Sequence, residues 1–243
     1  MPSTPPKSLD RNIYIERQIN DTNLTSEGDD SMEPMLLKTG TTTIGIACKD
    51  GIVLAADKKM TLGGQIVSSK KMEKVVLINE DVAVTFAGLV SDIQLLVKLI
   101  KAQIKLDELR RGKKLKIREV ASMLGNLVYN NIRKMSMIQG ITGFMLAGRD
   151  SEGFHLYQLG YDGSLTKYDD YTTDGSGMMF AMGVLEAGYT KDISVEDATK
   201  IAIKAVSAAM ERDTGSGGGI DIITVTKDGA RKVMTKQLET KLA

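Results

Sequence analysis

Enzymes that act through a side-chain nucleophile need a base within reach of it, and this 243-residue chain offers few of the usual ones. His155 is its only histidine and Cys48 its only cysteine. Ser-His-Asp and Cys-His mechanisms would both have to recruit His155. Its setting, Gly153-Phe154-His155-Leu156-Tyr157-Gln158-Leu159, alternates like a strand after the turn at 149–153. That reading puts the imidazole on a polar face with no carboxylate at hand, a structural role, so a hydrolytic base must be something else. A lone Cys48 excludes an intrachain disulfide and a zinc site of cysteine pairs, and neither a metal site nor a cofactor is expected.

Two glycine-rich segments are the other candidates for chemistry. Asp174-Gly175-Ser176-Gly177 precedes a helical pattern, where backbone N–H groups could receive an anion. It lacks the Gly-Lys-Ser/Thr element of a phosphate loop, and Asp174 and Met178 stand where a nucleophile elbow needs glycines. Arg212-Asp213-Thr214-Gly215-Ser216-Gly217-Gly218-Gly219 follows a helix and precedes a strand, the reverse of the dinucleotide-binding order, and reads as a tight helix-to-strand turn. The basic run Arg110-Arg111-Gly112-Lys113-Lys114 has no aromatic residues to stack bases and reads as a solvated connector, not a nucleic-acid site.

The elements that must position these groups follow from periodicity. Strands are expected over 42–48 and 52–56 about the turn Lys49-Asp50-Gly51, whose glycine is expected at positive φ, and over 74–78 and 82–87. Ser91-Asp92-Ile93-Gln94 reads as a capping box opening a helix to Arg111, with Ile93, Leu96, Val97, Ile100 and Ile104 at helical spacing. A second helix fits 117–132, with Val120, Leu124, Leu127 and Val128 on one face. Strands over 141–147, 154–159 and 165–168 come next, then helices over 178–187 and 195–212, the latter opened by Ser194. A hairpin of 220–226 and 231–234 about Lys227-Asp228-Gly229 closes the pattern. Runs of strands followed by runs of helices indicate antiparallel sheets with helices stacked outside, an α+β domain of about 200 residues.

Residues 1–40 have a different texture. All four prolines, Pro2, Pro5, Pro6 and Pro34, lie there, with four Lys/Arg against seven Asp/Glu, a net −3 within a chain of +1. The segment reads as a polar leader whose apolar islands, Ile13-Tyr14-Ile15 and Met35-Leu36-Leu37, are too short for a secretory core or a membrane span, and the protein is expected in the cytoplasm. The boundary falls at Gly40-Thr41.

Several short motifs occur together in one order: Thr39-Gly40-Thr41-Thr42-Thr43-Ile44-Gly45, Leu54-Ala55-Ala56-Asp57-Lys58-Lys59, Phe86-Ala87-Gly88-Leu89, Gly175-Ser176-Gly177, Gly183-Val184-Leu185-Glu186 and Glu211 through Gly217. With these the chain resembles the β-subunit family of archaeal 20S proteasomes over nearly all of residues 39–243. The resemblance implies the N-terminal-nucleophile hydrolase fold, a four-layer αββα sandwich. It implies that residues 1–40 are a propeptide removed by self-cleavage at Gly40-Thr41, leaving residues 41–243 as the catalytic domain. Thr41 would then be the nucleophile and its own α-amine the base, which dispenses with a catalytic histidine. The α-amine's unperturbed pKa of about 7.7–8.0 suits proton exchange near neutrality.

By the same resemblance Lys74 is the catalytic lysine, Asp57 the acid that orients it, and Gly88 the oxyanion donor. Ser176, Asp213 and Ser216 form the polar cluster around the amine. Lys74 is preferred over Lys71 because Val75-Val76 follow it. Met60, Thr61, Met72, Phe86 and Val90 are implied to form an apolar substrate pocket, with Phe86 limiting its depth and cleavage following hydrophobic residues. The chain departs from the family's common pattern at Met178-Met179, where Ser-Pro is usual, and in the length of its leader. The implied partners are proteasome α subunits, other β subunits in a heptameric ring, a regulatory ATPase acting through the α ring, and unfolded protein substrates, with no nucleic acid and no membrane. The alternatives are a non-catalytic β-ring subunit that keeps its propeptide, a bacterial-type threonine peptidase or amidase, and, least favoured, a binding module.

Overall fold

A computed structural model describes residues 40–238. The expected leader lies outside the described residues except for Gly40. The chain runs β1 (Thr43–Cys48), β2 (Gly51–Asp57), β3 (Met60–Leu62), β4 (Ile66–Ser69), β5 (Val75–Leu77), β6 (Val82–Gly88), α1 (Val90–Arg111), α2 (Ile117–Arg133), β7 (Thr142–Asp150), β8 (Gly153–Leu159), β9 (Leu165–Tyr168), β10 (Tyr171–Asp174), α3 (Met178–Gly188), α4 (Val195–Arg212), β11 (Gly219–Thr226) and β12 (Gly229–Gln237). One five-stranded sheet has the order β10-β1-β2-β11-β12, the other β5-β6-β7-β8-β9, and β3-β4 form a separate ribbon. Every pairing is antiparallel.

Period-two alternation builds the layers, because successive side chains of a strand point to opposite faces. In β2, Val53 and Ala55 pack with Ala181 and Leu185 of α3 and with Ala202 and Val206 of α4. Between them Ile52, Leu54 and Ala56 turn the other way and meet Ala83, Met145 and Leu156 of the second sheet. That sheet's far face, with Val84, Phe86, Phe144 and Leu146, meets Ile93 and Ile100 of α1 and Leu124 of α2. The result is helices, sheet, sheet, helices, with three apolar layers between. All seven residues of β2 are buried, so the strand that ends in Asp57 is fixed on both faces.

Four sequence expectations differ from the structure. Ser91 does not cap α1: the N-cap is Leu89, in extended conformation and without a side-chain cap. The sheet sets this position, since the Leu89 N–H donates to the Ile141 carbonyl at 2.9 Å and the chain turns into helix directly after β6. Gly51 is not among the positive-φ glycines. Its reason is space, because a Cβ there would lie 2.3 Å from the Val225 carbonyl oxygen. His155 does have a carboxylate at hand, with Nε2 3.0 Å from Asp150 Oδ1. It stands on the same strand face as Tyr157, with which its ring stacks, and Tyr157 packs in the α1/α2 core. Finally, β3, β4 and β10 have no counterpart among the expected strands. Ser194 does cap α4, accepting from the Asp197 N–H.

Candidate active site

Thr41 precedes β1 and is 4% exposed, so the hydroxyl at this boundary lies inside the protein. Its Oγ donates to the Gly40 carbonyl oxygen at 2.6 Å. Lys74 Nζ donates to the same oxygen at 3.1 Å and to Asp57 Oδ1 at 2.8 Å. One carbonyl therefore receives both a hydroxyl and an ammonium. Gly40 is seated where nothing larger fits, since a Cβ on it would lie 2.1 Å from Gly215 Cα.

Asp57 is fully buried and saturated with donors. Oδ1 takes the Thr42 N–H at 2.9 Å besides Lys74, and Oδ2 takes the N–H groups of Lys59 at 3.0 Å and Gly217 at 2.9 Å. Four donors on one carboxylate offset its desolvation and fix the end of β2 against the loop after α4. Burial lowers the Lys74 pKa from its ordinary value, and the Asp57 carboxylate opposes that shift. The outcome is a lysine whose pKa lies below its ordinary value yet which is held by a carboxylate counter-ion, a common condition of groups that move or stabilise charge.

A second cluster lies on the nitrogen side of Thr41. Its N–H donates to Ser176 Oγ at 3.2 Å, and Ser176 Oγ donates to Asp213 Oδ2 at 2.6 Å. Ser216 Oγ donates to the same Asp213 oxygen at 2.6 Å and lies 2.6 Å from Thr42 Oγ1. Asp213 is the C-cap of α4, and its Oδ1 also accepts the Gly215 N–H at 3.1 Å. These residues form a continuous hydrogen-bonded path from the Thr41 nitrogen to Thr42.

A small cleft opens beside Gly40 and Thr41, lined also by Met60, Thr61, Lys74, Phe86, Ala87, Gly88, Val90 and Ile93. Thr61 Oγ1 accepts the Gly40 N–H at 3.0 Å. Gly88 ends β6 with φ 123°, and a Cβ there would meet the Ile141 carbonyl oxygen at 2.1 Å. Only glycine holds the backbone in that position. Met72 departs from expectation: it is not among the cleft-lining residues and packs as a half-buried neighbour of the α1/α2 core. Its backbone N–H is tied to the Lys58 carbonyl at 2.9 Å.

Sequence reasoning missed three features here. Thr42 closes the hydroxyl path through Ser216. Lys59 Nζ donates to the Thr214 carbonyl at 2.6 Å and braces the loop that carries Ser216. Lys58 forms a buried ion pair with Asp221 at 2.5 Å, one residue beyond Asp57. The sequence signal for the last is a lysine at the end of an apolar strand and an aspartate inside another, two charges that need partners.

A proteasome-subunit family profile matches residues 37–225. The chain is 39% identical over 223 residues to a protein named proteasome subunit beta from Halomicrobium mukohataei, covering 92% of this chain and 90% of that one. It is 39% identical over 203 residues to proteasome subunit beta 1 of Thermococcus onnurineus, covering 84% and 97%. It is 38% identical over 201 residues to proteasome subunit beta of Methanocaldococcus jannaschii, covering 82% and 88%. The chain belongs to the proteasome subunit family, and within it to the β subunits of the 20S core. Such subunits are peptidases by family and assemble with other subunits into the core particle. No helix among the described residues is long and apolar enough to cross a membrane.

Proposed function

We propose that this chain is a threonine-type endopeptidase whose nucleophile, Thr41, is released as a new N-terminus by cleavage of Gly40-Thr41. The observation that carries the reading is the Gly40 carbonyl oxygen, held 2.6 Å from Thr41 Oγ and 3.1 Å from Lys74 Nζ. An ammonium on that oxygen stabilises the negative charge that develops when the hydroxyl adds to the carbonyl carbon. Addition and breakage of the C–N bond transfer the Gly40 acyl group to the Thr41 oxygen and free the amine. Water then hydrolyses the ester, leaving residues 1–40 with a carboxylate and Thr41 with its hydroxyl restored.

In the mature subunit the α-amine accepts the hydroxyl proton as Thr41 attacks a substrate carbonyl, and the Gly88 N–H receives the oxyanion. The substrate amide breaks as its nitrogen takes the proton from the ammonium. Water, deprotonated by the same amine, releases the acyl group. Ser176 and Asp213 orient the amine, with Ser216 behind them. The apolar cleft residues Met60, Phe86 and Val90 favour hydrophobic side chains, with Thr61 at its wall. The implied setting is a closed cytoplasmic chamber of heptameric β rings between α rings, fed with unfolded proteins by an ATPase.

Intact mass and N-terminal analysis of the chain purified with and without α subunits test this. The expected mature species in the assembled particle begins at Thr41 and is absent from a Thr41→Ala variant. Persistence of residues 1–40 in an assembled wild-type particle would favour a non-catalytic β-ring subunit instead.

A further inference from the structure

Ser176 faces the Thr41 nitrogen, yet it is exposed, and among the described residues its side chain hydrogen-bonds to Asp213 and Thr41 alone. Its position must come from the backbone that carries it. That backbone lies hard against Thr41. Gly175, at φ 93°, would put a Cβ 2.2 Å from the Thr41 carbonyl oxygen, and the Gly177 N–H donates to that oxygen at 3.2 Å.

The residue at the head of this segment is a carboxylate. Asp174 ends β10 opposite Thr43 of β1 and is 8% exposed. Its Oδ1 accepts the Gly175 N–H at 2.7 Å and the Tyr161 hydroxyl at 3.0 Å. Tyr161 follows β8, so the hydroxyl reaches across from the other sheet. Gly143 of β7 makes room, since a Cβ on it would lie 2.9 Å from both Asp174 Oδ2 and Tyr161 Cε1. A carboxyl, a phenol and a missing side chain thus meet where the two sheets flank Thr41.

We propose that Asp174 is a positioning residue for the Thr41 site: tied to Tyr161, it fixes the turn through Gly175 and thereby the Ser176 hydroxyl against the Thr41 nitrogen. Burial pushes the Asp174 carboxyl above its ordinary pKa, while the Gly175 and Tyr161 hydrogen bonds pull it down. Burial likewise pushes the Tyr161 phenol up. A carboxyl that is costly to bury and serves only two donors stabilises the fold poorly, and its value lies in the geometry it enforces. Asp174 is not among the residues lining the cleft beside Gly40 and Thr41. The inference rests on Thr41 being the nucleophile.

Peptide hydrolysis by the particle assembled with α subunits tests it, comparing Asp174→Ala, Asp174→Asn, Tyr161→Phe and Thr41→Ala. Asp174→Ala is expected to lower kcat about tenfold, the scale of a small misplacement of a reacting group, with KM within about twofold of wild type. Asp174→Asn, which keeps an acceptor oxygen of the same shape, is expected to retain most of kcat. Tyr161→Phe, a deletion of one hydroxyl that spares the packing, is expected to lower kcat by less than Asp174→Ala does. An unchanged kcat in both Asp174→Ala and Tyr161→Phe, or a loss confined to KM, would overturn the proposal. If Asp174→Ala does not assemble, Tyr161→Phe decides alone. Hydrolysis abolished by Thr41→Ala but untouched by the other variants defeats the positioning role only, whereas hydrolysis surviving Thr41→Ala defeats the nucleophile assignment.

Discussion

Asp57 and Lys74 are costly to bury, and the proposed mechanism needs them together. Both are buried, the pair is 2.8 Å apart, and Lys74 also reaches the Gly40 carbonyl. Removing one member leaves the other as an uncompensated buried charge, which costs about 3–5 kcal/mol, whereas replacing both with apolar groups of similar volume is often neutral. Asp57→Asn should therefore lower thermal stability markedly and reduce peptide hydrolysis by at least about 100-fold, the scale of losing a transition-state donor's correct placement. The double variant Asp57→Asn/Lys74→Met removes both charges but still leaves a backbone donor of Asp57 unmatched, and should recover part of the stability and none of the activity. Melting curves and peptide kinetics on the four members of this cycle separate the two effects. A single Asp57→Asn variant that melts like wild type would contradict the buried-charge account.

At the scale of elements, the strands that are long and alternate were legible and the short ones were not. β6, β7 and β8 each carry enough apolar residues on alternate positions to declare themselves. β3 has three residues, β4 and β10 four each, and β10, Tyr171-Thr172-Thr173-Asp174, is mostly polar, so no apolar alternation marks it. The start of α1 differs from the sequence pattern because, although Ser91 has the right chemistry for a cap, the pairing after β6 brings Leu89 to that place first. The residues of the candidate site stand in family motifs, while the contacts of Thr42, Asp174 and Tyr161 have no signal in the sequence. Those contacts, Thr42 to Ser216 and Tyr161 to Asp174, are ones only the fold creates. Gly51 belongs at this scale too. A turn glycine at positive φ is favoured for its backbone conformation, whereas Gly51 is constrained by the approach of β11. Gly51→Ala should cost about 1–3 kcal/mol through overpacking against Val225, measured as a shift in urea midpoint with unchanged slope. A variant as stable as wild type would mean that β2 and β11 separate without penalty.

Across the whole molecule the three apolar layers have different duties. The two outer ones attach helices to sheets, and the middle one joins the sheets that carry the two halves of the site. Asp57 and Thr41 come from the first sheet and its leading edge, Lys74 and Gly88 from the second, so their spacing depends on how the sheets pack. Leu54 sits in that middle layer, fully buried beside Met145 and Leu156. Leu54→Ala is expected to cost about 2–5 kcal/mol, since a cavity between two rigid sheets collapses poorly. Leu109→Ala, at a position 68% exposed on α1, should stay within about 0.5 kcal/mol in the isolated subunit. Urea unfolding of both measures the contrast. The middle layer also predicts a functional asymmetry: in assembled particles that remain folded, Leu54→Ala should lower kcat more than an equally destabilising substitution of Leu124 in the α1/α2 layer, because only the former lets Lys74 drift from Asp57 and Thr41. Equal losses from the two would show that the distance between the sheets does not govern the site.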